Sequence, residues 1–306
     1  MEVHQLRYVS AVAESGSFSR AAERCQIAQP SLSQQVLKLE EELGAKLFDR
    51  LGRSVRLTEA GRAFLPHARA VLHEIEAARA SVTDKSADVR GSVAVGVIPT
   101  IAPYLMPRYT AAFAKSYPEA RLRILEETTP VLIENLRSLS IDFAILALPL
   151  RSKDLNLFPL RSELLYAVLP PDHPHAQAKS LALRDLREEA FVMLRDGHCF
   201  RDLSLAACSH ARVRPRIAFE SDQFSSLFGM VAAGVGVSLA PEMAIDRGAG
   251  CRYVRLSDAR ATRTIAAAVL HGRSFNRVQQ AFLSGIMGVG PAAGAERRIS
   301  GGPRET

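Results

Sequence analysis

From Val89 onward the hydrophobic rhythm of the chain changes, and this change limits the fold more than any other feature of its 306 residues. GSVAVGVIP reads as a buried strand, Pro103 to Tyr117 as a helix, RLRILEE as a strand, Val131 to Leu139 as a helix, and DFAILALP as a strand again. Further on, SSLFGMVAAGVGVSLAPEMA repeats the scheme as helix, glycine-marked turn and strand. Near-continuous apolar strands separated by amphipathic helices need cover on both faces. The alternation therefore predicts an α/β fold with a parallel sheet, whose ligands sit at the carboxyl ends of the strands.

Before residue 89 the periodicity is helical. SFSRAAERCQIAQPSLSQQVLKLEEELG, residues 17–44, divides into two helices and a short turn. Ser17 can cap the first, which buries Phe18, Ala21, Ala22 and Cys25. Gln26 to Ala28 form the turn, and Pro30 falls in the first turn of the second helix, where proline is tolerated. Leu32, Val36, Leu39 and Leu43 make one inward stripe on that helix. Its other face presents Ser31, Ser33, Gln34, Gln35 and Lys38, the hydroxyls and amides that pair with base edges and phosphates in a major groove. LFDRLGRSVRLTEAG then alternates through Leu47, Phe48, Val55 and Leu57 around Gly52, as a small hairpin or wing carrying Arg50, Arg53 and Arg56 toward phosphates.

Thr58 can cap a long helix with apolar positions at Phe64, Leu65, Ala68, Val71, Leu72, Ile75, Ala78 and Val82. That stripe is about 27 Å long, with little neighbouring chain to cover it, which suggests a dimer seam. Pro66 predicts a kink or a late helix start. A dimer would present two reading heads to a two-fold DNA site.

Charge alone does not make this case. The formal net charge is +7, yet residues 1–62 hold nine Lys and Arg against eight Asp and Glu, so the surplus is spread along the chain. No apolar run reaches the length of a membrane span, and the start lacks the pattern of a signal peptide, so the expected location is the cytoplasm, with no membrane partner. Four cysteines are too few for a structural disulfide framework in a reducing compartment.

AAERCQIAQPSLSQQVLKLEEELGAKLFDR and RLTEAG resemble the winged helix-turn-helix of the LysR-type transcriptional regulators. One departure is Ala28, where the family usually carries a serine before Gln-Pro. The resemblance implies that Gln29, Pro30, Ser31, Ser33 and Gln34 lie at the groove of double-stranded promoter DNA, and Arg53 on the wing. It extends to about residue 288 and implies an α/β fold class of three parts: an N-terminal winged helix-turn-helix (1–58), a long linker or dimerisation helix (59–88), and a regulatory domain (89–290). That domain would comprise two Rossmann-like lobes similar to periplasmic binding proteins. Lobe I would take residues 89–162 and 267–290, and lobe II residues 163–266. The Gly- and Pro-rich stretch 291–306 reads as a disordered tail.

GHCFRDLSLAAC, residues 197–208, holds two of the four cysteines. Three chemistries fit it: small buried hydrophobes, a metal site from His198, Cys199, Cys208 and His210, or thiol redox chemistry. C-x8-C lacks the tight pairing of zinc motifs. FRDLSLAAC has helix-forming residues, and a thiolate at Cys199 would gain from a helix N-terminus and a protonated His198, while Asp202 would oppose it. A sulfenic acid on one thiol condenses with a second thiol into a disulfide, and Cys208 is the candidate partner. Nine residue steps along a helix would separate the two by about 13.5 Å on opposite faces, whereas a disulfide needs Cα atoms roughly 4.4–6.8 Å apart. A helix here would have to unwind on oxidation.

LRDGHCFRDLSLAAC, together with Cys25, resembles the peroxide-sensing members of that family. The resemblance implies Cys199 as the peroxidatic and Cys208 as the resolving thiol, with His198 and Asp202 beside them, Thr100 and Thr129 holding peroxide, and Arg263 near the thiolate. From the residues alone, Thr100 could instead cap the helix after its strand, and Thr128 is as plausible a neighbour as Thr129. The expectation is a non-enzymatic, cofactor-free and metal-free regulator that assembles as a homodimer or homotetramer, takes hydrogen peroxide as its signal and contacts RNA polymerase. Its competitors are a LysR-type regulator of a small organic effector bound between the lobes, and a thiol peroxidase. Cys25 is expected in the core, and the role of Cys251 is left open.

Overall fold

The computed structural model describes residues 1–51, 54–83 and 91–288. The chain opens with α1 (Val3–Ser15), α2 (Phe18–Cys25) and α3 (Gln29–Leu43), the hairpin β1 (Phe48–Leu51) and β2 (Ser54–Leu57), and the long α4 (Glu59–Thr83). Val9, Val12, Phe18, Ala21, Leu32, Val36, Leu39, Leu47 and Phe48 form their common core. Ser17 caps α2 by accepting from the Arg20 N–H at 3.5 Å, and Gln26, at φ 56°, turns the chain out of that helix. Ala28 stands at the N-cap of α3 and contributes no side-chain bond.

The inward stripe of α3 is shorter than its spacing predicts. Leu32, Val36 and Leu39 are fully buried, but Leu43 is 40% exposed, because the chain leaves at Gly44 (φ 65°) before any element covers that turn. Buried Glu40 holds the wing instead, accepting from the N–H groups of Leu47 at 2.7 Å and Phe48 at 3.1 Å. Thr58 Oγ1 accepts from the Gly61 N–H at 2.9 Å and so caps α4. A Cβ at Gly61 would meet the Leu47 carbonyl oxygen at 2.1 Å, which makes this close helix–wing approach a glycine position. The helix starts at Glu59 and runs on through Pro66. Leu65 is buried in the N-terminal core and Ala68 is buried as well, while Val71 and Ala78 farther along α4 are exposed. The tip of the wing at 52–53, the side chain of Val82, and the stretches 84–90 and 289–306, including the expected tail, lie outside the described residues.

The rest of the chain runs β3 (Gly91–Val97), α5 (Ala102–Ser116), β4 (Ala120–Glu126), α6 (Thr129–Arg137), β5 (Phe143–Leu148), β6 (Leu155–Leu169), β7 (Ser180–Leu181), β8 (Ala190–Leu194), α7 (Cys199–His210), β9 (Arg216–Ser221), α8 (Phe224–Ala232), β10 (Ser238–Pro241), β11 (Arg252–Leu256), β12 (Thr262–Leu270) and α9 (Arg277–Ile286). The sheet is mixed rather than parallel. β4, β3 and β5 run parallel, but β12 pairs antiparallel with both β5 and β6, while β8 and β9 form a separate two-stranded parallel sheet. The strand order is β4-β3-β5-β12-β6-β11-β7, with β10 also on β6.

The antiparallel pair exists because two strands carry the chain between two cores. One core gathers Val95, Ile101, Leu132, Phe143, Ile145 and Ile265; the other gathers Leu165, Phe191, Leu194, Phe200, Cys208, Phe228 and Ala261. Passage between them falls just past Glu163 on β6 and between Ala261 and Ile265 on β12. We call these halves lobe I and lobe II. Among the described residues no helix is long and apolar enough to cross a membrane.

Candidate functional site

The segment 197–208 folds as its composition predicts, with Cys199 the first residue of α7 and His198 its N-cap. Phe200, Ser204, Ala207 and Cys208 face inward at helical spacing, and the Ser204 hydroxyl donates to the Phe200 carbonyl at 2.8 Å. Arg201 pins the start of the helix, pairing with Asp196 at 2.7 Å and with Glu220, and donating to the Leu194 carbonyl at 2.8 Å.

The two thiols belong to different halves of the molecule. Cys199 is half-buried and packs against the core of lobe I, although its helix belongs to lobe II; Cys208 is fully buried in the core of lobe II. With α7 unbroken between them, about 13.5 Å of helical rise and half a turn keep them from bonding.

Cys199 closes a small cleft between the lobes. Pro99, Thr100, Thr128 and Thr129 line one side, and Gly197, His198 and Cys199 the other. Burial pushes the Cys199 thiol above its ordinary range; Thr129, Arg263 and the backbone at Ala147 pull back toward the thiolate, and Asp202 adds to the rise. A helix N-terminus is thus present at Cys199, yet the thiol is raised, with burial the leading cause. Thr129 Oγ1 is buried beside the sulfur without a well-formed hydrogen bond, although it lies near enough to favour the charged form. Burial holds Cys208 at about 11, with Asp258 adding to the effect.

Thr100 does not cap α5, whose N-cap is Ile101. Its Oγ1 accepts from Arg263 Nη1 at 3.0 Å, and its carbonyl accepts from Nη2 at 3.4 Å. Arg263 is 1% exposed and lies over the Phe200 ring, 5.4 Å from its centre. Glu163, fully buried on β6, receives the Arg263 Nε–H at 2.8 Å. His198 Nε2 is 3.4 Å from Asp222, which also pairs with Arg195 at 3.1 Å, and Asp202 is exposed one turn into α7. The fold thus brings Thr100, Thr129, His198 and Cys199 to one cleft, sets Arg263 behind it, and keeps Cys208 apart. Glu163, Phe200 and Asp222 were not expected here; Glu163 meets Arg263 only through the register of β6 on β12, which the sequence does not display.

On α3, Gln29, Pro30, Ser31, Gln34 and Lys38 are exposed and Ser33 is half-buried, which leaves a polar face open to a groove. Gln35 is turned toward α1, where Gln5 Nε2 donates to it at 3.3 Å. Arg50 lies on β1, its side chain outside the description, and Arg53 is outside the described residues. Cys25 packs against the N-terminal core, and Cys251 is buried with its thiol donating to the Phe228 carbonyl at 3.1 Å. Among the described residues no cluster of three His, Cys, Asp or Glu could hold a metal ion.

Residues 3–62 match the bacterial regulatory helix-turn-helix protein family of lysR type, and residues 86–287 match the LysR substrate binding domain. The hydrogen peroxide-inducible genes activator of Pectobacterium carotovorum is 35% identical over 81% of this chain and 82% of its own. The transcriptional dual regulator GltC of Bacillus subtilis is also 35% identical, over 79% and 81%. A full-length OxyR variant from Pseudomonas aeruginosa superposes with a TM-score of 0.82 at 31% identity, covering 94% of each chain.

Proposed function

The chain belongs to the LysR family of bacterial helix-turn-helix regulators, and from that premise we propose that it senses hydrogen peroxide through Cys199 and Cys208. It is a DNA-binding transcriptional regulator rather than an enzyme. Similarity at 35% to both a peroxide-inducible activator and GltC does not choose the signal. The observation that carries the choice is local: Cys199 faces an interlobe cleft beside Thr100 and Thr129, and a second thiol lies on the same helix.

The chemistry runs in two steps. The Cys199 thiolate attacks one peroxide oxygen, the O–O bond breaks, and hydroxide leaves and is protonated to water; the sulfur, oxidised by two electrons, becomes a sulfenic acid. The Cys208 thiolate then attacks that sulfur, an S–S bond forms, and a second hydroxide leaves as water. Cys208 is buried and protonated in the folded helix, so the second step waits for α7 to open. That opening couples oxidation to a rearrangement of α7 and its neighbours, and so to the spacing of reading heads in a homodimer or homotetramer. RNA polymerase is the downstream partner of such a regulator on promoter DNA.

Peptide mass spectrometry after one equivalent of peroxide tests this reading. It predicts the loss of two hydrogen atoms between the Cys199 and Cys208 peptides, and a Cys199→Ser protein whose DNA contacts no longer respond. No mass change would point to a small organic effector bound between the lobes.

A further inference from the structure

Glu163 and Arg263 face each other across β6 and β12 at the passage between the lobes, and both side chains are wholly buried. A buried ion pair returns little net stability, because desolvation offsets the attraction, so its use lies elsewhere. Glu163 Oε1 accepts from Arg263 Nε at 2.8 Å and lies 2.6 Å from Nη2, while Oε2 accepts from the Met243 N–H at 3.0 Å. This leaves Nη1 donating to Thr100 Oγ1 at 3.0 Å.

Bond polarity then runs in one direction. A carboxylate only accepts and a guanidinium only donates, so the Thr100 oxygen must accept from Arg263. Its own hydrogen cannot return to the guanidinium, and Thr100 lines the cleft that holds Cys199. Thr129, by contrast, has a buried hydroxyl with no such partner to fix its direction.

We propose that Glu163 is a positioning residue for the reaction of Cys199 with peroxide: by anchoring Arg263 against Thr100, it makes the Thr100 hydroxyl a hydrogen-bond donor into the thiol cleft. There the hydroxyl stabilises the negative oxygen leaving the broken O–O bond, without giving up its own proton. This inference rests on the peroxide reading above.

The test compares two rate constants of Cys199 in the full-length reduced protein, one with hydrogen peroxide and one with iodoacetamide. Alkylation reports thiolate fraction and access, whereas peroxide also needs the donor, so their ratio isolates the donor. Glu163→Gln is expected to lower the ratio on the order of tenfold, less than the roughly hundredfold or more of deleting a donor that touches the reacting oxygen. Thr100→Val should lower it at least as far, and adding Glu163→Gln to Thr100→Val should change nothing more. If Glu163→Gln does not fold, the paired Glu163→Met and Arg263→Met protein replaces the ion pair with apolar groups of similar length and should show the same fall. A ratio unchanged by Glu163→Gln, or effects of Glu163→Gln and Thr100→Val that simply add, overturns the inference. A wild-type Cys199 that does not react with peroxide overturns the reading beneath it.

Discussion

Cys199 sits where its surroundings work against the thiolate that must attack peroxide. Burial raises its thiol above the ordinary range, and the opposing pull of Thr129 and Arg263 does not cancel that rise. Raising the pKa gains less in nucleophilicity than it costs in thiolate fraction, so this thiol depends on a cleft that stabilises the leaving oxygen. The expected consequence is an iodoacetamide rate at Cys199 that keeps rising with pH through the ordinary thiol range. Thr129→Val, which removes a group favouring the thiolate, should move the curve to higher pH still. A profile already flat near neutrality would contradict this ordering. Cys208 makes a separate prediction, because its folded value is raised from 9.0 to about 11. Its stabilising contribution is complete below the ordinary value and is lost as pH rises through the folded one, a difference of roughly 2–3 kcal/mol. Urea unfolding of the reduced protein against Cys208→Ala across that interval measures it, the mutant falling less steeply.

At the scale of elements, the two halves of the switch differ in how far the sequence reveals them. Local features were readable: the Ser17 and Thr58 caps, the stripe of Leu32, Val36 and Leu39, and the helix that starts at Cys199 all follow from residues within a few positions of one another. Features set by distant chain were not. Leu43 keeps its helical spacing yet lies exposed, because no element among the described residues covers it. The antiparallel crossing of β6 and β12, and with it the meeting of Glu163 and Arg263, depends on a register 100 residues apart in the chain. The thiol cleft is similar: resemblance pointed to Thr100 and Thr129, but only the fold shows that Thr100 is held by Arg263 rather than capping α5. α3 carries its own prediction, since its N-cap is the uncapping Ala28. Ala28→Ser should stabilise the N-terminal unit by about 1 kcal/mol, read as a higher denaturation midpoint. An unchanged midpoint would show that the first turn of α3 is satisfied by other means.

Across the whole molecule, α6 joins the thiol cleft to the DNA-reading unit. Thr129 at its start lies beside the Cys199 sulfur, and just past its end Arg69 of α4 bonds the Ser140 hydroxyl. Arg69 also donates to Glu14 of α1 at 3.4 Å, and Glu14 pairs with Arg24 at the end of α2 at 2.5 Å. A shift of α6 when Cys199 leaves its place would reach the reading head through Arg69. Arg69→Ala should therefore leave the peroxide rate at Cys199 unchanged while shrinking the difference between reduced and oxidised DNA footprints. A footprint change of full size in that protein would remove Arg69 from the route. The central claim, however, is that α7 must unwind for the two thiols to meet. Hydrogen exchange of the amides of residues 202–208, measured before and after one equivalent of peroxide, tests it most directly. The account predicts protected amides in the reduced protein and lost protection in step with the Cys199–Cys208 disulfide; a disulfide formed with those amides still protected would contradict it.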